Sequence, residues 1–348
     1  MIYIENLESK VFDRCKKADE LIVISGYIGI EPILQTDNIP YVTKVIYGMY
    51  EESGISEYLH NSVVRLNSEL ARTSVLYSKN VIHSKCYVWR RDKMIVEALA
   101  GSANFTVPGL NTPEREMLMD VGSDSFRFLN DYVNTIVNDS IDCRSINKND
   151  LKTSSFIAPF LVSNETKIVS NTTCNASLVG KDDEVPKMSG INWGLANGHV
   201  TIGDAYIPIT KKMIFEYPFL FPPKQMKTTQ SEGKKNRQND YIEIIWDDGA
   251  VMKGLLEGSQ DINGVVYPNK ISSFPKKNTL GLYLRNRLGV PLNYEITKED
   301  LIKYGRYNIS ISLEGEGIYG MDFSAKRDSF SRFYEYGNVA ENTPKYEI

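Results

Sequence analysis

The chain reads as an α/β layered domain followed by a mostly-β domain. In the first half, strand-length apolar runs alternate with segments of helical period. The second half is mostly short strands between turns, and the stretch Gly180 to Gly190, rich in charge and turn formers, separates the two. The expected division is residues 1–178, a linker at 179–190, and residues 191–348. A length of 348 residues is enough for two ordinary cores.

The elements follow in order. A short amphipathic helix near Ser9 to Ala18 precedes the run from Leu21 to Ile30, whose continuous apolar character reads as a strand buried on both faces. Val42 to Tyr47 is the next strand, Ile55 to Ala71 a helix, and Ser74 to Tyr77 a further short strand. Val81, Ile82, Cys86, Tyr87, Val88 and Trp89 are β-branched, aromatic or habitually buried types and mark a strand through His83 and Lys85. Glu116 to Gly122 forms a strand and Ser125 to Asp139 a helix. In the second half, Tyr241 to Trp246 runs into the Asp247-Asp248-Gly249 turn and pairs with Val251 to Glu257 as a hairpin. Tyr267 and Ile271 suggest another extended piece, and Tyr307 to Leu313 with Ile318 to Phe323 makes a second hairpin around Glu314-Gly315-Glu316-Gly317. Thr297 caps a helix whose first turn carries Glu299 and Asp300 at the positive end of the dipole. A small mixed barrel accommodates these strands.

Composition narrows the function classes. Hydrophobic residues make up 42% and charged residues 24%, as in soluble globular proteins, and no apolar run is long enough to span a bilayer. Met1 to Asn6 lacks the basic flank and apolar centre of a signal peptide, and the four cysteines have no metal-ligand spacing, so a reduced, cytoplasmic protein is expected. A net charge of −4 argues against a nonspecific nucleic-acid coat. Positive charge is nonetheless clustered: Lys211, Lys212, Lys224, Lys227, Lys234, Lys235 and Arg237 crowd one stretch, and no acidic residue lies between Ile262 and Tyr294.

The chemistry concentrates between Ile82 and Thr106. His83-Ser84-Lys85 is followed by Gly101-Ser102-Ala103-Asn104-Phe105-Thr106. A neutral imidazole can attack phosphorus and hold it covalently, which splits one difficult displacement into two easier ones. Lys85 supplies fixed positive charge, and Asn104 with the Ser102 hydroxyl supplies donors for the equatorial oxygens of the transition state. Residues i and i+2 of a strand share a face, so His83 and Lys85 are expected in one pocket. His60 and His199 have no comparable neighbours in sequence.

This stretch resembles the His-x-Lys nuclease motif of the phospholipase D superfamily. The resemblance implies a phospholipase D-like α/β sandwich, cleavage without metal or other cofactor, and a glutamate that holds the histidine by a hydrogen bond. Glu116 matches that glutamate by position, with Glu114 a weaker match. The aspartate that many members carry five residues after the lysine is absent: Arg90 stands there and Asp92 lies nearby, a departure that points toward the nuclease members. The superfamily mechanism uses two histidines, one attacking phosphorus and one protonating the leaving oxygen. Because this chain has a single His-x-Lys, a two-fold homodimer with His83 of each subunit facing a shared site is expected.

In the second half, Ile191-Asn192-Trp193-Gly194-Leu195-Ala196-Asn197-Gly198-His199, Ala205 to Ile209, Arg285 to Val290 and Asp300 to Arg306 resemble the restriction endonucleases of the NgoFVII type. Those enzymes join a phospholipase D-like nuclease to a carboxy-terminal pseudobarrel similar to the plant "B-three" DNA-binding domain, which grips the major groove with two arms. The resemblance implies a sequence-specific DNA endonuclease of a restriction-modification system acting on double-stranded DNA. It also allows a separate helicase-like ATPase as partner, since this chain carries no Gly-x-x-x-x-Gly-Lys-Ser/Thr loop. One arm is expected between Asn192 and Lys212, with Asn192, Asn197, His199, Lys211 and Lys212 toward DNA; the other runs from Lys270 to Arg287, with Lys270, Lys276, Arg285 and Arg287. Arginine suits guanine edges and asparagine adenine, whereas lysines mostly hold phosphates. Trp193 is expected in the barrel core. Two other readings stand beside this one: a sequence-specific DNA-binding protein whose nuclease half is inactive or regulatory, and a phospholipid-active enzyme. The phospholipid reading is opposed by the missing aspartate, the single motif and the polar second half.

Overall fold

The computed structural model describes residues 1–153 other than 16 and 114, residues 173–224 and residues 239–325. The strands of its first sheet are β1 (Ile2–Tyr3), β2 (Glu20–Ser25), β3 (Val42–Tyr47), β4 (Thr73–Ser78), β5 (Lys85–Arg91), β6 (Met94–Gly101), β7 (Leu118–Asp120) and β8 (Ser140–Asp142), in the order β1-β7-β6-β5-β2-β3-β4-β8. Strands β2, β3 and β4 run parallel, and the remaining pairings are antiparallel. The run Leu21-Ile22-Val23-Ile24 is wholly apolar because both faces of β2 are covered. Leu21 and Val23 pack into one cluster with Val45, Tyr87 and Trp89; Ile22 and Ile24 pack into another with Ile46, Val88 and Ile136.

Helices α1 (Leu7–Phe12), α2 (Ile30–Gln35), α3 (Tyr50–Ser53), α4 (Glu57–Glu69), α5 (Val107–Asn111) and α6 (Phe126–Asn138) complete this half. Ser56 caps α4, its hydroxyl accepting from Leu59 N at 3.1 Å. The strand expected to reach Ile30 ends at Ser25, and Ile30 instead opens α2. Pro32 marks the difference: a proline in a first helical turn loses no intrahelical bond, whereas within a central strand it would break the ladder.

The second sheet is built from β9 (Cys174–Ser177), β10 (Ile207–Pro208), β11 (Asp240–Trp246), β12 (Val251–Glu257), β15 (Lys270–Ser273), β16 (Asn308–Gly315) and β17 (Ile318–Asp322), in the order β10-β15-β12-β11-β17-β16-β9. Strands β13 (Gln260–Ile262) and β14 (Val265–Tyr267) form a separate small hairpin. Helices α7 (Lys211–Glu216), α8 (Asn278–Leu288) and α9 (Lys298–Tyr304) lie among them. Both expected hairpins are present, β11 with β12 and β16 with β17, and Thr297 caps α9 in a capping box with Asp300. Two sequence expectations shift. β9 falls inside the expected first half yet pairs with β16, so the second unit already includes Cys174. The Gly180–Gly190 stretch folds onto that unit: Gly180 N donates to Glu184 O at 2.8 Å, and Val185 is buried in the second core.

The halves meet over a built interface. Ile245 of β11 and Ile318 of β17 are buried in the first half's apolar cluster. Around them Tyr58 Oη donates to Ile245 O at 3.2 Å, Arg65 to Gly249 O at 2.6 Å, and Arg115 pairs with Asp240 at 2.6 Å. Lys253 pairs with Glu8 at 2.5 Å and Glu31 at 3.4 Å. Glu243, fully buried, accepts from the amides of Ile30 at 2.7 Å and Glu31 at 3.1 Å, two donors that the first turn of α2 leaves without helical partners.

Candidate active site

Lys85 opens β5, and His83 stands two residues ahead of it in the incoming segment rather than within the strand. The side chains still meet, with Lys85 Nζ 3.1 Å from His83 Nε2 and 2.7 Å from the His83 carbonyl oxygen. An ammonium has only protons to give, so Nε2 is the acceptor in this contact, its lone pair directed at Lys85. His83 is exposed and Lys85 is buried. Burial lowers the Lys85 pKa, while Glu116 and Glu316 oppose the shift.

Asn104 follows the end of β6, where β5 and β6 pair Lys85 with Gly101. Its Oδ1 accepts from Tyr27 N at 3.2 Å; Ser25 Oγ lies 3.4 Å away but gives its one proton to Tyr27 O at 2.5 Å, and accepts from Phe105 N at 2.8 Å. With the oxygen held from behind, Nδ2 is left as the donor facing the site. Gly26 forms the floor: a Cβ there would lie 3.0 Å from Lys85 Nζ, 3.1 Å from His83 Cδ2 and 3.2 Å from Asn104 Oδ1. Three functional side chains thus converge on a residue with no side chain, a member of the site that the sequence reading did not single out.

The other expected catalytic residues are placed less directly. Ser102 is exposed, and its hydroxyl accepts from Met117 N at 3.1 Å, which ties the turn after β6 to the segment carrying Glu116. Glu116 acts on Lys85 through its charge, and among the described residues it makes no hydrogen bond to His83. Glu114 lies outside the described residues. His60 is buried against Tyr77, with Nδ1 to Oη at 3.0 Å, and His199 is exposed in the second half of the chain.

A residue from the second half also enters. Glu316, at the tip of the β16–β17 hairpin, accepts from Asn104 Nδ2 at 3.4 Å. Crowding in the cleft raises its pKa above the ordinary carboxylate range, with Glu116 adding to the rise and Lys85 and His83 opposing it. Sequence reading identified this hairpin but had no means of aiming its tip.

The two expected arms lie side by side: β10 pairs with β15, and Ala205 N donates to Lys277 O at 3.3 Å. Asn197, His199, Lys211, Lys212 and Lys276 are exposed in these segments. Lys270 lies 4.5 Å over the Trp193 ring and 5.2 Å over Tyr206, and both Lys270 and Lys277 pair with the buried Glu257. Trp193, expected in the core, is half-buried and serves as the platform for these lysines.

Three expected DNA contacts are corrected. Asn192 is fully buried, donating to Pro186 O and Ile296 O and accepting from Ile296 N. Arg285 is fully buried on α8, where its guanidinium donates to Ile191 O at 3.0 Å, Tyr294 O at 3.1 Å and Asn192 Oδ1 at 3.2 Å. Arg287 is held by Asp247 at 2.8 Å and Asp248 at 3.2 Å and donates to Phe323 O. The physical reason is the helix: the second arm ends near Lys277, and α8 turns these arginines inward. Lys227, Lys234, Lys235 and Arg237 lie outside the described residues.

A histidine, lysine and asparagine gathered over a glycine floor at the ends of interior strands of the sheet, joined to a mixed β unit with a cationic face, define a two-part protein: a phospholipase D-like domain and a DNA-binding domain. The chain belongs to the NgoFVII restriction endonuclease family. Residues 5–150 match the family's N-terminal PLD domain and residues 166–314 its C-terminal B3-like DNA-binding domain. Among solved structures the chain is similar to NucT from Helicobacter pylori, at 12% identity and a TM-score of 0.32 over 41% of this chain and 97% of that one. It is also similar to TrmBL2, an archaeal chromatin protein, at 9% identity and a TM-score of 0.28 over 41% of this chain and 53% of that one. No curated protein matches the chain. Among the described residues no helix is long and apolar enough to cross a membrane.

Proposed function

We propose that this protein is a site-specific, type II-like deoxyribonuclease of a restriction-modification system that cleaves DNA without a metal ion. The observation that carries the reading is the 3.1 Å approach of Lys85 Nζ to His83 Nε2, beside an asparagine whose amide is turned outward by Tyr27 N. His83 Nε2 attacks phosphorus, the P–O bond to one strand end breaks, and a phosphohistidine remains. The leaving oxygen takes a proton from His83 of a second subunit. That same imidazole then draws a proton from water, whose oxygen displaces His83 from phosphorus. Lys85 and Asn104 stabilise the equatorial oxygens throughout, and Glu116 contributes through its charge near Lys85.

Support for a second subunit comes from the surface beside His83. Phe128 and Tyr132 sit one turn apart on α6 and are 76% and 40% exposed, and Tyr132 Oη lies 2.7 Å from Ser84 Oγ, next to the proposed nucleophile. An aromatic pair left in water there suits an isologous contact that brings two copies of His83 together. On the recognition side, Asn197, His199, Lys211, Lys212, Lys270 and Lys276 are the residues proposed to face DNA. A helicase-like ATPase would act as a separate partner, and a cytoplasmic location fits an enzyme acting on DNA.

The test is plasmid cleavage in excess chelator by the full chain and by His83→Ala. Wild type is expected to cut and to yield an acid-labile phosphoprotein on rapid quenching, and the variant to do neither. Cleavage that requires added metal, or that survives in the variant, overturns the reading.

A further inference from the structure

Resting on that reading, we infer that Glu316 is an intramolecular occupant of the phosphate subsite, delivered by the recognition half, and that a DNA phosphate must displace it to reach His83. Its oxygen takes the Asn104 amide proton that the phosphate would need, at 3.4 Å. Its charge acts on Lys85 and His83, the other two groups of the cradle. With Glu116 also acting on Lys85, one ammonium answers two carboxylates, and an entering phosphodiester would add a third negative charge. Even without substrate the site therefore carries an excess of negative charge, which opposes an entering phosphate.

The placement is built into the hairpin. The register of β16 and β17 shifts between Leu313 and Gly315, an irregularity of the kind that re-aims side chains. Gly317 has φ +66°, and a Cβ there would come within 2.3 Å of Pro108 Cγ, so a side chain would push the tip off the first turn of α5, just beyond Asn104. The Gly317 carbonyl accepts from Glu243 N at 2.8 Å, anchoring the tip to β11 at the junction. Glu316 itself is exposed at the edge of the cleft, so rotation of its side chain is enough to withdraw it and leaves the Ile245 and Ile318 contacts in place. The carboxylate thus discriminates between a phosphate presented by DNA seated on the recognition half and one that arrives unaided.

The test compares the full-length protein with Glu316→Gln, which keeps the shape and removes the charge, and with Glu314→Gln as a control on the same hairpin. Two probes are used: orthovanadate binding by calorimetry and hydrolysis of bis(p-nitrophenyl) phosphate. Removing a like charge at contact range from a partly wet cleft should tighten vanadate and raise kcat/KM for the diester by about tenfold each. Cleavage of DNA lacking a target should rise in parallel, and Glu314→Gln should leave all three unchanged. Unchanged or weaker vanadate binding in Glu316→Gln overturns the inference, as does slower diester turnover, which would make Glu316 a helper of the reaction. If no form hydrolyses any phosphodiester, the nuclease reading fails, and vanadate binding still decides the role of Glu316.

Discussion

Glu243 makes the junction between the halves sensitive to pH. Its carboxyl is fully buried, and burial pushes its pKa up to about 7 despite the two amides of α2 that favour the charged form; Glu31 adds to the rise and Lys253 opposes it. A folded-state value above the unfolded one means that the folded chain keeps a proton the unfolded chain gives up. Stability from this group is therefore full below the ordinary glutamate range and is lost as pH rises toward 7. Between pH 5 and pH 8 the loss is roughly 2 to 3 kcal/mol, from a displacement of about 2.5 pKa units. Glu243→Gln keeps an acceptor oxygen for α2 and does not titrate. Urea unfolding of both proteins at the two pH values should show wild type losing that much more stability than the variant over the interval. Parallel losses would refute the argument, because they would mean that the carboxyl titrates in the folded chain as it does in water.

Three further outcomes follow from the placements above. Arg285→Ala should destabilise the second half by about 3 to 5 kcal/mol, because it strands the carbonyls of Ile191 and Tyr294 and the Asn192 side chain, and thermal melting reads this directly. Lys276→Ala and Lys211→Ala, both exposed, should weaken DNA binding with little change in melting temperature, each lowering the slope of log affinity against log salt by about 0.9, measured by fluorescence anisotropy. Phe128→Asp should yield monomers in sedimentation velocity and abolish plasmid cleavage while the variant still unfolds in a cooperative transition, since this residue is 76% exposed in the single chain.

Much of the nuclease half was legible because periodicity carries it. Val42–Tyr47 was bounded correctly, and Phe126–Asn138 came within a residue at each end, because each element buries an apolar face and is closed by turn or cap residues. The meeting of His83 and Lys85 was also legible, since a two-residue spacing at a strand entrance leaves few alternatives. Arg285, Asn192 and Glu316 were not. A guanidinium in sequence looks like a DNA contact, and only tertiary packing reveals that its donors close on Ile191, Tyr294 and Asn192. The contact between Glu316 and Asn104 spans 212 residues and depends on how two sheets dock, information that no local pattern contains. Gly26 escaped for the opposite reason, because its contribution is the absence of atoms.

Strands β11 and β17 are the one parallel pair of the second sheet among the described residues, and each sends an isoleucine across the boundary. Severing the chain between residues 153 and 173 would therefore not free two independent pieces. The fragments would remain together as a nicked complex, and either one produced alone would show water the greasy seam that its missing neighbour normally hides.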